Sequence, residues 1–301
     1  MSMHKLLFQV QRPLLQFTSK KFVLPIIRIE TRSVSNMSKT VSIADQSVPI
    51  TMGTPVTRAT SDILNQVLEF GPFKDWVSRL DKAQREKKNE MDIHSIEIQN
   101  TDLFGCGKLG FVKLKADVRF KENGKSAPGI VFMRGGSVSM LIILRCPEKE
   151  DHILLTMQPR VPVGSLDFPE LPAGMLDGSG NFAGTAAKEI YEETGLSIKE
   201  HELIDLTHEA YGDRWQGMYP SAGGCDEFIR LFMCIKYMDQ FDIQALEGKL
   251  TGLRDKGENI TLKLVALKDA WNIAPDAKLL STLALYNALV EHKPELFPRN
   301  K

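Results

Sequence analysis

The run Val138–Arg145, VSMLIILR, is apolar at nearly every successive position rather than at alternate ones. As a strand it has no face suited to water, so it belongs in the middle of a sheet covered on both sides. Its neighbours supply that sheet. Strands are expected at Gly129–Met133 and Ile153–Met157, and later at Glu202–Leu206, Phe228–Lys236 and Ile260–Leu267. Upstream, GFVKLKADVRF (110–120) alternates as a half-buried strand does. Short helices are expected at Ser61–Phe70, with Ser61 as cap, and at Phe73–Ala83, where Phe73, Trp76, Val77 and Leu80 form an apolar stripe. QREKKNE (84–90) suits a solvated turn. A last helix fits Asp276–His292, with Asp276 as cap and Leu279, Leu280, Leu283, Tyr286, Leu289 and Val290 on its apolar face. These elements predict an α+β or α/β fold: a mixed sheet sandwiched by helices, preceded by a smaller N-terminal region.

Charge is unevenly distributed. Of 38 basic and 38 acidic residues, seven and one fall in residues 1–44, leaving 31 and 37 for the remainder, a net of about −6. Such a body has no broad attraction for nucleic acid or an anionic membrane, and no run of 18 apolar residues offers a membrane span. The basic, Ser-rich start, amphipathic in MHKLLFQVQRPLLQF, fits a mitochondrial or plastid targeting peptide over 1–44, with a cytoplasmic chain carrying a basic tail as the alternative. Residues 45–60 look like a linker, 61–127 an N-terminal region able to mediate dimerisation, 128–292 the main domain and 293–301 a tail. Cys106, Cys146, Cys225 and Cys234 form no CxxC pair, so reduced thiols are expected.

QPRVPVGSLDFPELPAG (158–174) holds four prolines and is expected to be irregular. Long ordered loops of this kind are often functional. It leads into TAAKEIYEETG (185–195), a helix with Thr185 as a possible cap and Gly195 as a left-handed stop. Glu189, Glu192 and Glu193 stand at i, i+3 and i+4, so their carboxylates share one side. Each like-charged pair costs an isolated helix roughly 0.2–0.5 kcal/mol, and the helix dipole disfavours acid near a C-terminus. A divalent cation would compensate; on the helix alone, a solvated acidic face is the simpler account. The preceding ELPAGMLDG can bring backbone carbonyls beside the carboxylates and favours the cation, with hard Mg2+ or Mn2+ suited to oxygen ligands.

These residues resemble the box of the Nudix hydrolase family, G-x5-E-x7-R-E-U-x-E-E-x-G-U, where U is aliphatic. Gly174, Glu189, Ile190, Glu192, Glu193, Gly195 and Leu196 fall at the required spacing. Gly180 stands in place of the first glutamate and Lys188 in place of the arginine; Asp177 is close enough in sequence to compensate partly for the lost acid. The resemblance extends over roughly residues 105–290 and is nearest the ADP-sugar and ADP-ribose pyrophosphatase branch, particularly plant-type ADP-sugar diphosphatases. PGIVFMRG (128–135), QPRVPVG with ELPAG (158–174), PSAGGCDE (220–227) and TGLRDKGENI (251–260) carry it.

The resemblance implies a Nudix fold and hydrolysis of a nucleotide sugar to a nucleoside monophosphate and a sugar phosphate. It places metal on Glu189, Glu192, Glu193, Glu258 and the carbonyl of Ala173, and substrate on Arg160, Arg134, Ser221 and Glu227. Glu192, Glu193 and Glu258 are then the catalytic acids, with Glu192 or Glu258 as general base, since Lys256 replaces an acid that one relative uses nearby. Trp215 and Tyr219 could stack on a base. Tyr211 stands where some ADP-ribose enzymes carry a proline, so the preferred sugar stays open. Two other activities remain: a pyrophosphohydrolase of dinucleotides such as diadenosine polyphosphates or NADH, and a nucleotide-sugar binding protein of weak catalysis, suggested by Gly180 and Lys188. A homodimer is implied by similar N-terminal regions in this branch.

Overall fold

The computed structural model describes residues 39–53, 60–87, 90–176, 180–253 and 257–297. The expected targeting segment up to residue 38, the linker stretch 54–59, Asp177, Lys256 and the last four residues of the tail lie outside the described residues.

Strand β1 (Lys39–Ile43) and β2 (Gln46–Met52) form an antiparallel hairpin. A linker was expected from 45, and the targeting peptide was expected to run to 44; instead this stretch is sheet. Polar composition conceals it, although Ile43, Val48 and Ile50 are fully buried. Ala44 and Asp45 both take positive φ, the geometry a tight two-residue hairpin needs. Asp81 accepts a hydrogen bond from the Ala44 N–H at 2.7 Å, and Arg85 grips Asp45 through two nitrogens at 3.1 Å.

Helices α1 (Thr60–Glu69) and α2 (Gly71–Glu86) follow. Helix α1 begins at Thr60, one residue before the expected cap position at Ser61. Phe73 is buried against β1–β2, with Trp76, Val77 and Leu80 packed beside it. Gln84 does not belong to a solvated turn: it is buried in the last turn of α2, donating to the Met91 carbonyl at 2.5 Å and accepting from the Met91 N–H at 3.3 Å. Two long strands, β3 (Met91–Phe104) and β4 (Lys108–Phe120), complete the N-terminal sheet with β5 (Ser126–Ala127) and β6 (Ile130–Met133), both paired to β4.

The second sheet is built around β7 (Ser137–Arg145). Val138, Met140, Ile142 and Leu144 enter one core, while Leu141 and Ile143 enter the core on the opposite face. The run that is apolar on both faces is thus central, as expected. One neighbour is β12 (Ile229–Tyr237), parallel to it; the other is β8 (His152–Arg160), antiparallel. Strands β7 and β8 pair only over Ile143–Leu144 and His152–Ile153, beside the turn that joins them, and then part. Into this fork run β9 (Ser165–Glu170), paired to β8, and β10 (Ala173–Met175), paired to β7.

The stretch 158–174 is therefore not irregular. Its prolines sit where a strand can spare an N–H: Pro159 at the irregularity between Gln158 and Arg160, Pro169 in a strand with one partner, and Pro162 and Pro172 between strands. Strands β11 (Ile204–Asp205), β13 (Leu250–Thr251) and β14 (Ile260–Ala266) finish the sheet. The strand expected over Glu202–Leu206 shrinks to two residues because Asp205 accepts from the His208 N–H at 2.9 Å and starts a short helix, α4 (Leu206–Tyr211).

Helix α3 (Phe182–Thr194) covers one face of the sheet through Ala186 and Ile190. After the short α5 (Gln240–Gln244), α6 (Ala277–His292) covers the other through Leu279, Leu283 and Leu289. Asp276 caps α6, accepting from the N–H groups of Lys278 and Leu279. Leu280 faces solvent rather than joining the apolar side. Cys146, Cys225 and Cys234 are free, and among the described residues no helix is long and apolar enough to cross a membrane.

Candidate active site

Helix α3 starts one turn earlier than its composition suggests. Asn181, not Thr185, is the cap, accepting from the Gly184 N–H at 2.9 Å; Thr185 lies inside and donates its hydroxyl to the Asn181 carbonyl. Gly195 ends the helix at φ +75°, its N–H donating to the Tyr191 carbonyl. Between these caps the three glutamates fare differently. Glu193 is 7% exposed and accepts from the Ala173 N–H at 3.1 Å. Glu189 lies against Gly174 so closely that a Cβ there would sit 2.0 Å from its carboxyl carbon. Glu192 is partly exposed, 3.9 Å from the Lys188 ammonium. The glycine at 174 is what permits Glu189 to approach: a Cβ there would force its carboxylate aside.

Burial above all, with the charges of Glu189 and Glu170, pushes the Glu193 carboxyl up to about 8 against the opposing Ala173 N–H and Arg160. Strand β10 contributes more than one N–H. The Met140 N–H donates to the Pro172 carbonyl and the Leu176 N–H to the Gly136 carbonyl, so even-numbered residues face β7. By the antiparallel alternation, the N–H and the carbonyl of Ala173 point away from β7, and the N–H meets Glu193. The carbonyl assigned to metal shares that edge.

Arg160 ends β8 beside the same carboxylates. Its Nε donates to Glu170 at 2.6 Å, and its side chain is 42% exposed. Glu170 is 2% exposed and also accepts from Lys278 at 2.6 Å. Neither Glu170 nor Lys278 stands out in the sequence, although Glu170 opens the ELPAG stretch; an acid between two prolines that ends up buried is the one signal available. Asp226 is a second omission. Buried before β12, it accepts from the Arg134 N–H at 2.8 Å and the Gly135 N–H at 3.2 Å.

Arg134 reaches Glu227 at 3.5 Å and lies over the Phe111 ring. Burial raises the Glu227 carboxyl, and Arg134 opposes that shift. Ser221 sits apart from this pair in an exposed turn, its carbonyl accepting from the N–H groups of Gly224 and Cys225. Trp215 and Tyr219 meet edge to face at 5.9 Å. Glu258 is exposed on the loop between β13 and β14. That loop leaves from a strand anchored to α3, where the Thr251 hydroxyl donates to the Glu193 carbonyl at 2.5 Å. A cavity of about 950 Å3 lined by Arg145, Asp151, Tyr237 and Trp271 lies at the far end of β7 and does not include these residues.

The NUDIX domain family matches residues 134–283. Over 259 residues the chain is 36% identical to Nudix hydrolase 14, chloroplastic, of Arabidopsis thaliana, spanning 84% of this chain and 82% of the relative. The chain belongs to the Nudix hydrolase family. It is also 27% identical to the ADP-ribose pyrophosphatase of Bacillus subtilis (strain 168) over 166 residues, 55% of this chain and 74% of that one. A solved structure described as an ADP compounds hydrolase is 14% identical, with a TM-score of 0.47, covering 68% of this chain and 96% of that chain. As a Nudix hydrolase it acts on pyrophosphate bonds, and members of the family generally use a divalent metal such as Mg2+.

The donors here suit such an ion in chemistry: they are all oxygen, one carboxylate is buried beside two others, and among the described residues Glu193 forms no ion pair. In arrangement they are incomplete, since among the described residues no three Asp, Glu, His or Cys side chains converge at ligand distance. This Nudix hydrolase also departs from the box in two physically distinct ways. Gly180 has φ +77°, a left-handed conformation one residue before the cap of α3, which glycine adopts without strain. Lys188 is largely exposed and its ammonium stands 3.9 Å from Glu192, a single point charge without the forked geometry of a guanidinium.

Proposed function

We propose that this Nudix hydrolase splits the diphosphate of ADP-sugars such as ADP-glucose and ADP-ribose, giving AMP and a sugar phosphate. One observation carries the reading: a buried carboxylate, Glu193, held by the Ala173 N–H beside Glu189, with Arg160 reaching the same edge. The name of one relative, an ADP-ribose pyrophosphatase, supports this reading, and the other is named a Nudix hydrolase.

Glu189, Glu192, Glu193, the Ala173 carbonyl and Glu258 would hold Mg2+ or Mn2+. When bound, the ion supplies charge neutralisation for the diphosphate and acidifies a water molecule. Arg160 binds diphosphate oxygens through the nitrogens that Glu170 leaves free and balances charge as the bond to the leaving phosphate breaks. Glu192, partly exposed on the carboxylate face, accepts the proton of the attacking water, with Glu258 as the other base in reach of the loop. Arg134 and Glu227 meet the nucleoside or sugar, and Ser221 borders that side.

The experiment is a hydrolysis panel of ADP-glucose, ADP-ribose, UDP-glucose, NADH and a diadenosine polyphosphate in Mg2+ and Mn2+, with products identified. AMP and a sugar phosphate are expected from the ADP-sugars, and Glu193→Gln should abolish turnover while the protein still folds. Preferential cleavage of the dinucleotides would replace the substrate, and binding without turnover in either metal would make the chain a binding protein. The relative's chloroplastic name supports an organellar destination, which a fluorescent fusion of residues 1–38 would test, with mitochondrion as the other outcome. A homodimer formed through the region before residue 128, to be measured by analytical ultracentrifugation, completes the reading.

A further inference from the structure

Lys278 occupies an unfavourable position. It is the second residue of α6, where the helix dipole disfavours positive charge, and its side chain is only 14% exposed. Two nearly buried carboxylates compensate: Asp276 at 3.0 Å and Glu170 at 2.6 Å. Glu170 is held from both sides. Its Oε1 accepts from Arg160 Nε and its Oε2 from Lys278, so each oxygen serves one cation. The consequence falls on Arg160. A carboxylate free to rotate would take the arginine fork through two oxygens, the arrangement that such pairs favour. Here that is prevented, and the terminal nitrogens of Arg160 have no hydrogen-bond partner among the described residues.

We propose that Lys278 is a positioning residue of this hydrolase: by holding one oxygen of Glu170, it confines that carboxylate to the Nε side of Arg160 and keeps the terminal nitrogens open for the diphosphate. Lys278 also lies near enough to Glu227 to pull its carboxyl down, so the cation stands between the carboxylate partners of Arg160 and Arg134. The inference rests on the assignment of Arg160 to the diphosphate and extends it to a residue more than a hundred positions later in the chain.

The test compares the full-length wild type, Lys278→Met, Lys278→Arg, Glu170→Gln/Lys278→Met and Arg160→Ala. Thermal unfolding, KM, kcat and the affinity for inorganic pyrophosphate, by inhibition and by calorimetry, are measured for each. Lys278→Met should raise KM and weaken pyrophosphate binding about tenfold, the effect of one lost charge-assisted hydrogen bond, with kcat changed less than about threefold. The double variant should restore both affinities, because a neutral amide no longer captures Arg160. It also removes one charge of each sign, so it stays folded if Lys278→Met does not; in that case wild-type affinity in the double variant and in Lys278→Arg is the expected result.

A lower melting temperature with unchanged KM and pyrophosphate affinity would make Lys278 merely structural and overturn the proposal. Weak binding that persists in the double variant would overturn it too, as would wild-type affinity in Arg160→Ala, which removes the role of Arg160 itself. Failure of the substrate reading is separable: if the wild type hydrolyses none of the ADP-sugars, calorimetry with pyrophosphate still reports on Lys278.

Discussion

The backbone N–H of Ala173 and the carboxylate of Glu193 meet at 3.1 Å, joining the strand of the ELPAG turn to the third glutamate of the helix. This bond satisfies one oxygen of a side chain that is otherwise poorly solvated, and it leaves the acid in search of a proton or a cation.

A pH dependence follows for the metal-free protein. Burial raises the Glu193 carboxyl from 4.5 to about 8, so folding favours its protonated form. The stability it contributes is fully present below about 4.5 and is lost as pH rises through about 8. In chelator, the melting temperature of the wild type should fall relative to Glu193→Gln between about pH 5 and pH 8. Mg2+ affinity should rise over the same window, because the ion displaces that proton. Parallel curves for the two proteins would show that Glu193 is ionised already.

Gly174→Ala tests the contact with Glu189. Its Cβ would stand 2.0 Å from the Glu189 carboxyl carbon, so the carboxylate must swing away. Turnover should fall by about two orders of magnitude, the size of effect expected from misplacing a site group by about an ångström. Circular dichroism should be unchanged. Retained turnover would mean that Glu189 moves without consequence and holds no metal.

Asp226→Ala should destabilise the protein by about 1–3 kcal/mol, since the Arg134 and Gly135 N–H groups lose a shared buried acceptor. Urea unfolding measures this directly. A loss below about 0.5 kcal/mol, the ordinary range of surface substitutions, would show that water replaces the carboxylate.

Truncation tests the first hairpin. A chain starting at Gly53 loses the buried Ile43, Val48 and Ile50 and should unfold well below one starting at Lys39, by several kcal/mol as for multiple large core deletions. Equal melting temperatures would remove the hairpin from the folding unit.

The sequence reveals the parts whose local chemistry agrees with their final surroundings. Val138–Leu144 reads as central because both faces are apolar, and the carboxylate helix reads through its spacing and its glycine stop. Val48 and Ile50 stay hidden in polar company, because two buried side chains among polar neighbours leave too short a pattern to separate from a linker. Pro159 and Pro169 mislead for a different reason: a proline is excluded from a strand only where its N–H is needed, and need depends on which neighbours the strand acquires. Glu170 and Lys278 are farther still from legibility. Separated by 108 positions, they become a pair only when the start of α6 reaches the fork between β7 and β8.

That fork has an evolutionary consequence. Arg160 and Glu170 hang from the arm built on β8, whereas Ala173, Gly174 and the three glutamates hang from the arm built on β7. On the assignments proposed above, substitutions, insertions or a transplanted hairpin on the first arm would alter which molecules are admitted while the second retains its bond-breaking equipment. A lineage built on this plan can diversify its diet without reinventing its chemistry.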